Sequence, residues 1–222
     1  MKFFILFFWV LCLSCQESLK IIDKPIVFNE ERNNLTLQYL DKHYNLKQER
    51  PTITPKIIVL HWTAISTLEK SFKAFEKTTL FNTRPDIKNA GNLNVSTHFL
   101  VDQDGTIYRL MNETTMARHV IGLNHCAIGI ENVGGVALPL TPAQLASNIW
   151  LVEYLKNKYE IDYLIGHYEY INFVDHELWL EKDANYRTKK TDPGKYFLEK
   201  VKKATKNLNF KLTPEKNSIY EN

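Results

Sequence analysis

The sequence predicts one α/β domain, a mixed central β-sheet flanked by helices. Three observations carry this expectation. Strand-length apolar runs alternate with helical patterns along the chain, and one pair of apolar runs reads as a hairpin instead of a helical crossover. The composition, 44% hydrophobic and 24% charged over 222 residues, suits a single globular domain with a sizeable core. Crossovers make parallel neighbours and a hairpin makes an antiparallel pair, so the sheet should be mixed.

The chain opens with "MKFFILFFWVLCLSCQES", in which one lysine precedes an apolar run from Phe3 to Leu13. That run is shorter than the roughly 20 residues a membrane-spanning helix needs, and residues 1–14 read as an export signal. The stretch "LCLSC" resembles the lipobox of bacterial lipoproteins: Ser14 fits before Cys15, while Leu13 and Cys12 fit loosely. Lipid attachment at Cys15, cleavage to a soluble form and a retained short anchor are all open readings. With Cys15 lipidated, Cys126 would be the only cysteine of the mature chain. It would then form no internal disulfide and would serve as a small buried residue.

Residues 15–50 are polar and mixed, a tether or an accessory layer, with "NEERNNLTLQYLDKHYN" patterned as a helix. Pro51 and Pro55 mark a boundary, and the main domain is expected over residues 51–206. "PKIIVLHW" is a strand-length apolar run, and in "STLEKSFKAFEKTTL" Leu68, Phe72 and Phe75 recur on one helical face. "THFLVDQDGTIYRL" places two apolar arms around Asp104-Gly105, a dipeptide suited to a tight hairpin turn. "CAIGIENVGG" reads as a buried strand. "TPAQLASNIWLVEYLKNKYE" is the clearest helix: Thr141 caps it, Pro142 starts it and Gln144 completes a capping box. The strand "IDYLIGH" follows, then the amphipathic run "KYFLEKVKKATK", and residues 207–222 form a polar tail.

Net charge is +3, or +2 without the first fourteen residues, whose only charged side chain is Lys2. No basic stripe with interleaved aromatics is present, so the chain is not expected to bind nucleic acid.

His61 closes "KIIVLH" and His167 closes "YLIGH", at the carboxyl ends of predicted strands, where α/β folds gather their sites. A third polar group comes from "RTKKTDPG". The residue before a proline is pushed out of helix, so Asp192 should be extended, with Lys190 pointing the same way two residues earlier. Alone, this stretch could equally be a solvated loop with a salt bridge. Two imidazoles and a carboxylate form a typical catalytic zinc set, leaving the fourth tetrahedral position for water. Glu131 is an acid within an otherwise apolar strand. It is either a strand-end residue escaping to water or, beside a metal, a general base and later acid. Lys190 would then place positive charge where an oxyanion develops.

Taken in order, "IIVLHWTA", "STHFLVDQDGTIYRL", "IGIENVGG", "TPAQL", "IGH" and "KTDPGKYF" resemble the type-2 family of zinc-dependent N-acetylmuramoyl-L-alanine amidases, which includes the peptidoglycan recognition proteins. The resemblance spans roughly residues 55–200. It implies a mixed sheet with zinc in a surface groove, held by His61, His167 and Asp192, with Glu131 as acid/base and Lys190 as oxyanion stabiliser. It also implies that His119, in "MARHV", contacts substrate. Some branches carry a catalytic tyrosine where Thr97 stands, and threonine cannot replace it, so this chain resembles the Glu/Lys branch. His98 is expected to be structural, and no role is expected for His125 or His176. The 168–189 loop is longer than in several branches, and its aromatics are expected to pack more than to bind sugar.

The implied reaction is hydrolysis of the amide between N-acetylmuramic acid and the L-alanine of the stem peptide, with peptidoglycan or muropeptides as partners. The implied setting is the periplasm, with a membrane attachment through Cys15. A non-catalytic peptidoglycan-binding or sensing lipoprotein on the same fold is the alternative.

Overall fold

A six-stranded sheet in the order β1-β4-β3-β5-β2-β6 organises the chain in the computed structural model, which describes residues 19–80, 87 and 90–215. The export signal, Cys15 and residues 216–222 lie outside the described residues. The strands are β1 (Ile21–Asp23), β2 (Ile57–Trp62), β3 (Phe99–Val101), β4 (Ile107–Arg109), β5 (Ala127–Asn132) and β6 (Tyr163–Gly166). Only β3 and β4 pair antiparallel; every other neighbouring pair is parallel. The mixed sheet expected from one hairpin among crossovers is therefore present.

The helices are α1 (Glu30–Tyr44), α2 (Leu68–Glu76), α3 (Pro142–Lys158) and α4 (Lys195–Ala204), with 3-10 turns at His167–Phe173 and Lys206–Leu208. The central strands are mostly apolar because both faces are covered, with polar residues only at their carboxyl ends. Ile57 and Val59 face a core shared with Ala127, Tyr163 and Ile165. Ile58 and Leu60 face the opposite core, with Ile128, Ile130 and the α3 residues Leu151, Val152 and Leu155.

Thr141 caps α3 as its sequence predicts: its hydroxyl accepts from the Gln144 N–H at 3.1 Å, and Gln144 Oε1 accepts from the Thr141 N–H at 3.0 Å. At α1 the Asn29 side chain does the same work, accepting from the Arg32 N–H at 2.9 Å. Before residue 50, helix α1 packs onto the sheet. Tyr39, Leu40 and Tyr44 of α1 are buried in the core beneath the site. Buried Arg32 donates to the Phe75 and Glu76 carbonyls at 3.0 and 2.9 Å, satisfying the end of α2.

The long 168–189 loop joins the same layer. Tyr170 and Phe173 are buried in its core, Trp179 packs against that core, and Glu181 accepts from His43 of α1 at 2.9 Å with both side chains buried. The start of the expected tail is anchored too: Leu208 and Phe210 pack on the α3 core, and the Lys211 N–H donates to the Asp162 carbonyl at 2.8 Å. Among the described residues no helix is long and apolar enough to cross a membrane.

Candidate metal and catalytic site

His61 is the penultimate residue of β2 and pairs in register with Glu131 of β5. His167 follows directly on Gly166, the last residue of β6, which pairs with Leu60. Three adjacent parallel strands thus end together, and their carboxyl ends supply two imidazoles and a carboxylate. Asp192 arrives from the segment before α4, whose position is held by the Tyr168 N–H donating to the Asp192 carbonyl at 3.2 Å. Gly194, with φ of 84°, takes the left-handed turn into α4. The helix begins at Lys195, two residues after Pro193.

These placements bring three ligand-type atoms together. His61 Nδ1 lies 3.0 Å from His167 Nδ1, and Asp192 Oδ2 lies 3.1 Å from the first and 3.0 Å from the second. Bonds of about 2.0–2.1 Å to a tetrahedral ion place ligand atoms roughly 3.3 Å apart, close to this triangle. The three residues, all buried, form a group that could hold a metal ion.

The electrostatics suit a cation. Burial, reinforced by the neighbouring His61, lowers the His167 pKa to about 4, so its ring is neutral at neutral pH with a lone pair to give. Burial pushes Asp192 up, but His167 and His61 outweigh it through charge and hydrogen bonds, leaving the carboxyl well below the usual carboxylate range. Neutral imidazole beside an ionised carboxylate is the protonation state a metal requires.

A cavity of about 240 Å³ opens at this point, lined by His119, Glu131, His167, Lys190 and Asp192 among others. His61, 1% exposed, joins it through its contacts with His167, Asp192 and His119. All six residues singled out in the sequence therefore meet in one place. Lys190 and Asp192 face the same cavity while Thr191 between them is exposed, as an extended run two residues apart dictates. Glu131, 9% exposed, does not escape to water as a strand-end acid would.

His119 differs from a simple groove residue, because its ring is engaged on both sides. His61 Nε2 lies 3.0 Å from its Nδ1, and its Nε2 lies 3.2 Å from the Ala127 carbonyl oxygen. Burial first, then the adjacent His61 and His98, holds its pKa well below the ordinary imidazole value.

Thr97 is buried and donates its hydroxyl to the Gly129 carbonyl at 2.9 Å, a purely structural bond. His98 is structural as expected: Nδ1 accepts from the Gly129 N–H at 3.0 Å, Nε2 meets the Thr115 carbonyl at 2.9 Å, and burial lowers its pKa to about 4. Cys126 is a buried free thiol whose pKa burial pushes up to about 12.

Two supporting residues carried no signal in the sequence. Asn124 Oδ1 accepts from the His119 and Val120 N–H groups, both at 2.8 Å, and its Nδ2 donates to the Tyr44 hydroxyl at 2.8 Å. Arg118 is buried in the cavity wall, donating to the Ile87 and Leu93 carbonyls and, at 3.0 Å, to the Tyr186 hydroxyl. A lone Asn in "IGLNH" reads as a turn residue and a lone Arg as a surface charge; only long-range contacts give them work.

Residues 50–195 match the family described as N-acetylmuramoyl-L-alanine amidase. The chain is 30% identical over 128 residues to the endolysin of Enterobacteria phage T3, covering 55% of this chain and 80% of that protein. It is 36% identical over 88 residues to the endolysin of Escherichia phage T7, covering 37% of this chain and 58% of that protein. In fold it is similar to N-acetylmuramoyl-L-alanine amidase LysC from Clostridium intestinale URNW, with a TM-score of 0.52, 24% identity, and 87% of this chain and 100% of that one covered. With the family matched over most of its length and its ligand-type residues converging on one cavity, the chain belongs to the N-acetylmuramoyl-L-alanine amidase family.

Proposed function

We propose that the protein is a zinc-dependent amidase that hydrolyses the amide between the lactyl group of N-acetylmuramic acid and the L-alanine of the stem peptide. The observation that carries this reading is the triangle of His61, His167 and Asp192, with Glu131 and Lys190 on the same cavity. Two imidazoles and one carboxylate are a donor set suited to zinc. When bound, zinc polarises a carbonyl and lowers the pKa of water from about 15.7 to about 7.

The chain's own residues divide the remaining work. Glu131 takes the proton of the attacking water on a carboxylate oxygen and returns it to the nitrogen of the departing L-alanine, so the amine leaves neutral. Lys190 offsets the charge that develops on the former carbonyl oxygen. His119, which lines the same cavity, would contact the substrate. The substrates are peptidoglycan or muropeptides. The export signal would place the reaction in the periplasm, at a membrane where Cys15 carries lipid.

Mass spectrometry of defined muropeptides incubated with the purified protein, with zinc and after chelation, tests the reading. The expected result is zinc-dependent release of a free glycan and a peptide beginning with L-alanine. Intact substrate with zinc bound would instead make this a peptidoglycan-binding protein.

A further inference from the structure

We infer that His119 is a positioning residue for the metal: it holds His61 in the one tautomer that turns a lone pair toward His167 and Asp192. The inference rests on the metal reading above for its function, but its geometry stands in the fold by itself.

Three polar contacts run in line from the Ala127 carbonyl through His119 and His61 to the paired ligands. The Ala127 carbonyl can only accept, so the His119 Nε2 at 3.2 Å carries a hydrogen. In the neutral ring this leaves the lone pair on His119 Nδ1. His61 Nε2, 3.0 Å away, therefore faces an acceptor to which it can donate. With a cation on Nδ1, the atom 3.0 Å from His167 Nδ1 and 3.1 Å from Asp192 Oδ2, the His61 ring hydrogen can only sit on Nε2, facing the His119 acceptor; without a cation the Asp192 carboxylate competes for it. A ligating imidazole normally donates its other N–H to an oriented acceptor, which fixes the ring and raises its basicity. Here the acceptor is another histidine instead of the usual carboxylate or carbonyl.

His119 is itself firmly placed. Its ring lies against Gly129, where an added Cβ would sit 2.8 Å from its Cγ, so the glycine makes room for the imidazole. Its backbone N–H is held by Asn124, and Asn124 by the Tyr44 hydroxyl. Helix α1, which precedes the matched residues 50–195, is thereby linked to a metal ligand through Tyr44, Asn124, His119 and His61. His167 has no equivalent support: among the described residues its Nε2 is buried without a hydrogen-bond partner. The protein therefore orients one of its two imidazole ligands from behind and leaves the other to its packing.

Two measurements on the purified protein decide this. In long-range proton–nitrogen spectra of the zinc-loaded wild type, His61 is expected with its hydrogen on Nε2; a hydrogen on Nδ1 there would overturn the inference whatever any variant does. In competition with a chromophoric chelator, His119→Phe is expected to bind zinc about 10–100-fold more weakly, and His119→Gln, which restores an acceptor, to recover much of the loss. Unchanged zinc affinity in His119→Phe with only a raised KM would make His119 a substrate contact and nothing more. A wild type that takes up no zinc would sink the metal reading itself, whereas zinc uptake with unchanged affinity in His119→Phe would sink this inference alone.

Discussion

His61 and Glu131 occupy the same rung of two adjacent parallel strands, β2 and β5. Paired residues project to the same face, so the first ligand and the carboxylate proposed as base share one side of the sheet. The Asn132 side chain, one residue on, donates to the His61 carbonyl at 3.0 Å and ties the two strand ends together. The spacing between these two groups is thus set by the sheet ladder and not by loops, which is where a catalytic constellation gains its accuracy.

That arrangement separates metal binding from proton transfer in mutants. His61→Ala is expected to lose both zinc and activity. Glu131→Gln is expected to retain zinc and lose turnover by about 100-fold or more, the scale of a removed general base. Metal analysis beside muropeptide turnover checks both, and a Glu131→Gln protein with normal rates would end its assignment as base.

Lys190→Ala is expected to keep its zinc and its KM within a few-fold while kcat falls by about 100-fold or more, as when one oxyanion contact is lost. Steady-state kinetics on a single muropeptide reads this directly. A raised KM with kcat preserved would instead make Lys190 a ligand for the ground state.

Acid should destabilise the metal-free protein in a defined window. Burial lowers His98 and His125 to about 4 from the ordinary 6.5, because the buried ring resists charging. Between these values the unfolded chain binds protons that the folded chain refuses, so stability falls as pH drops from 6.5 to about 4. Thermal melts across pH 4 to 7 should show a falling midpoint, and a level profile would mean that these rings charge freely in the fold.

The layer formed by α1 and the 168–189 loop should behave as core. Leu40, fully buried, should cost about 2–5 kcal/mol on truncation to alanine. Gly122 has φ of 80°, and an added Cβ would lie 2.5 Å from the Trp179 ring, so Gly122→Ala must strain the backbone and displace the indole together. Denaturant unfolding of the two variants measures this. Wild-type midpoints would show that the layer is loosely attached.

Much of the site was legible because its residues stand at the ends of strongly patterned elements. "KIIVLH" and "YLIGH" are apolar runs of strand length closed by a histidine, and they form the neighbouring strands β2 and β6, the second at the edge of the sheet. Glu131 was visible for a related reason: an acid inside "AIGIENVGG" breaks a pattern that burial otherwise enforces. The capping box at Thr141 and the Asp104-Gly105 turn were equally plain, because both are decided by contacts within a few residues.

The remainder depended on distances that no local pattern encodes. Asp192 was nominated by its neighbours Lys190 and Pro193, but its approach to 3.0 Å from His167 follows from where α4 docks. Whether the segment before residue 50 was a tether or a layer turned on the burial of Tyr39, Leu40 and Tyr44, and the loop aromatics likewise turned on what they packed against. His119 shows the division most clearly. The family resemblance marked it as a candidate in the sequence, yet the use of both ring nitrogens exists only because β2, β5 and the "MARHV" loop meet in space. Sequence by itself determined which elements form and which chemical groups they end in, since hydrophobic period and turn chemistry act over a few residues. Tertiary structure alone decided which of those groups touch, and so which atom of each ring is left with a lone pair, because hydrogen-bond partners 58 and 106 residues apart are chosen by packing.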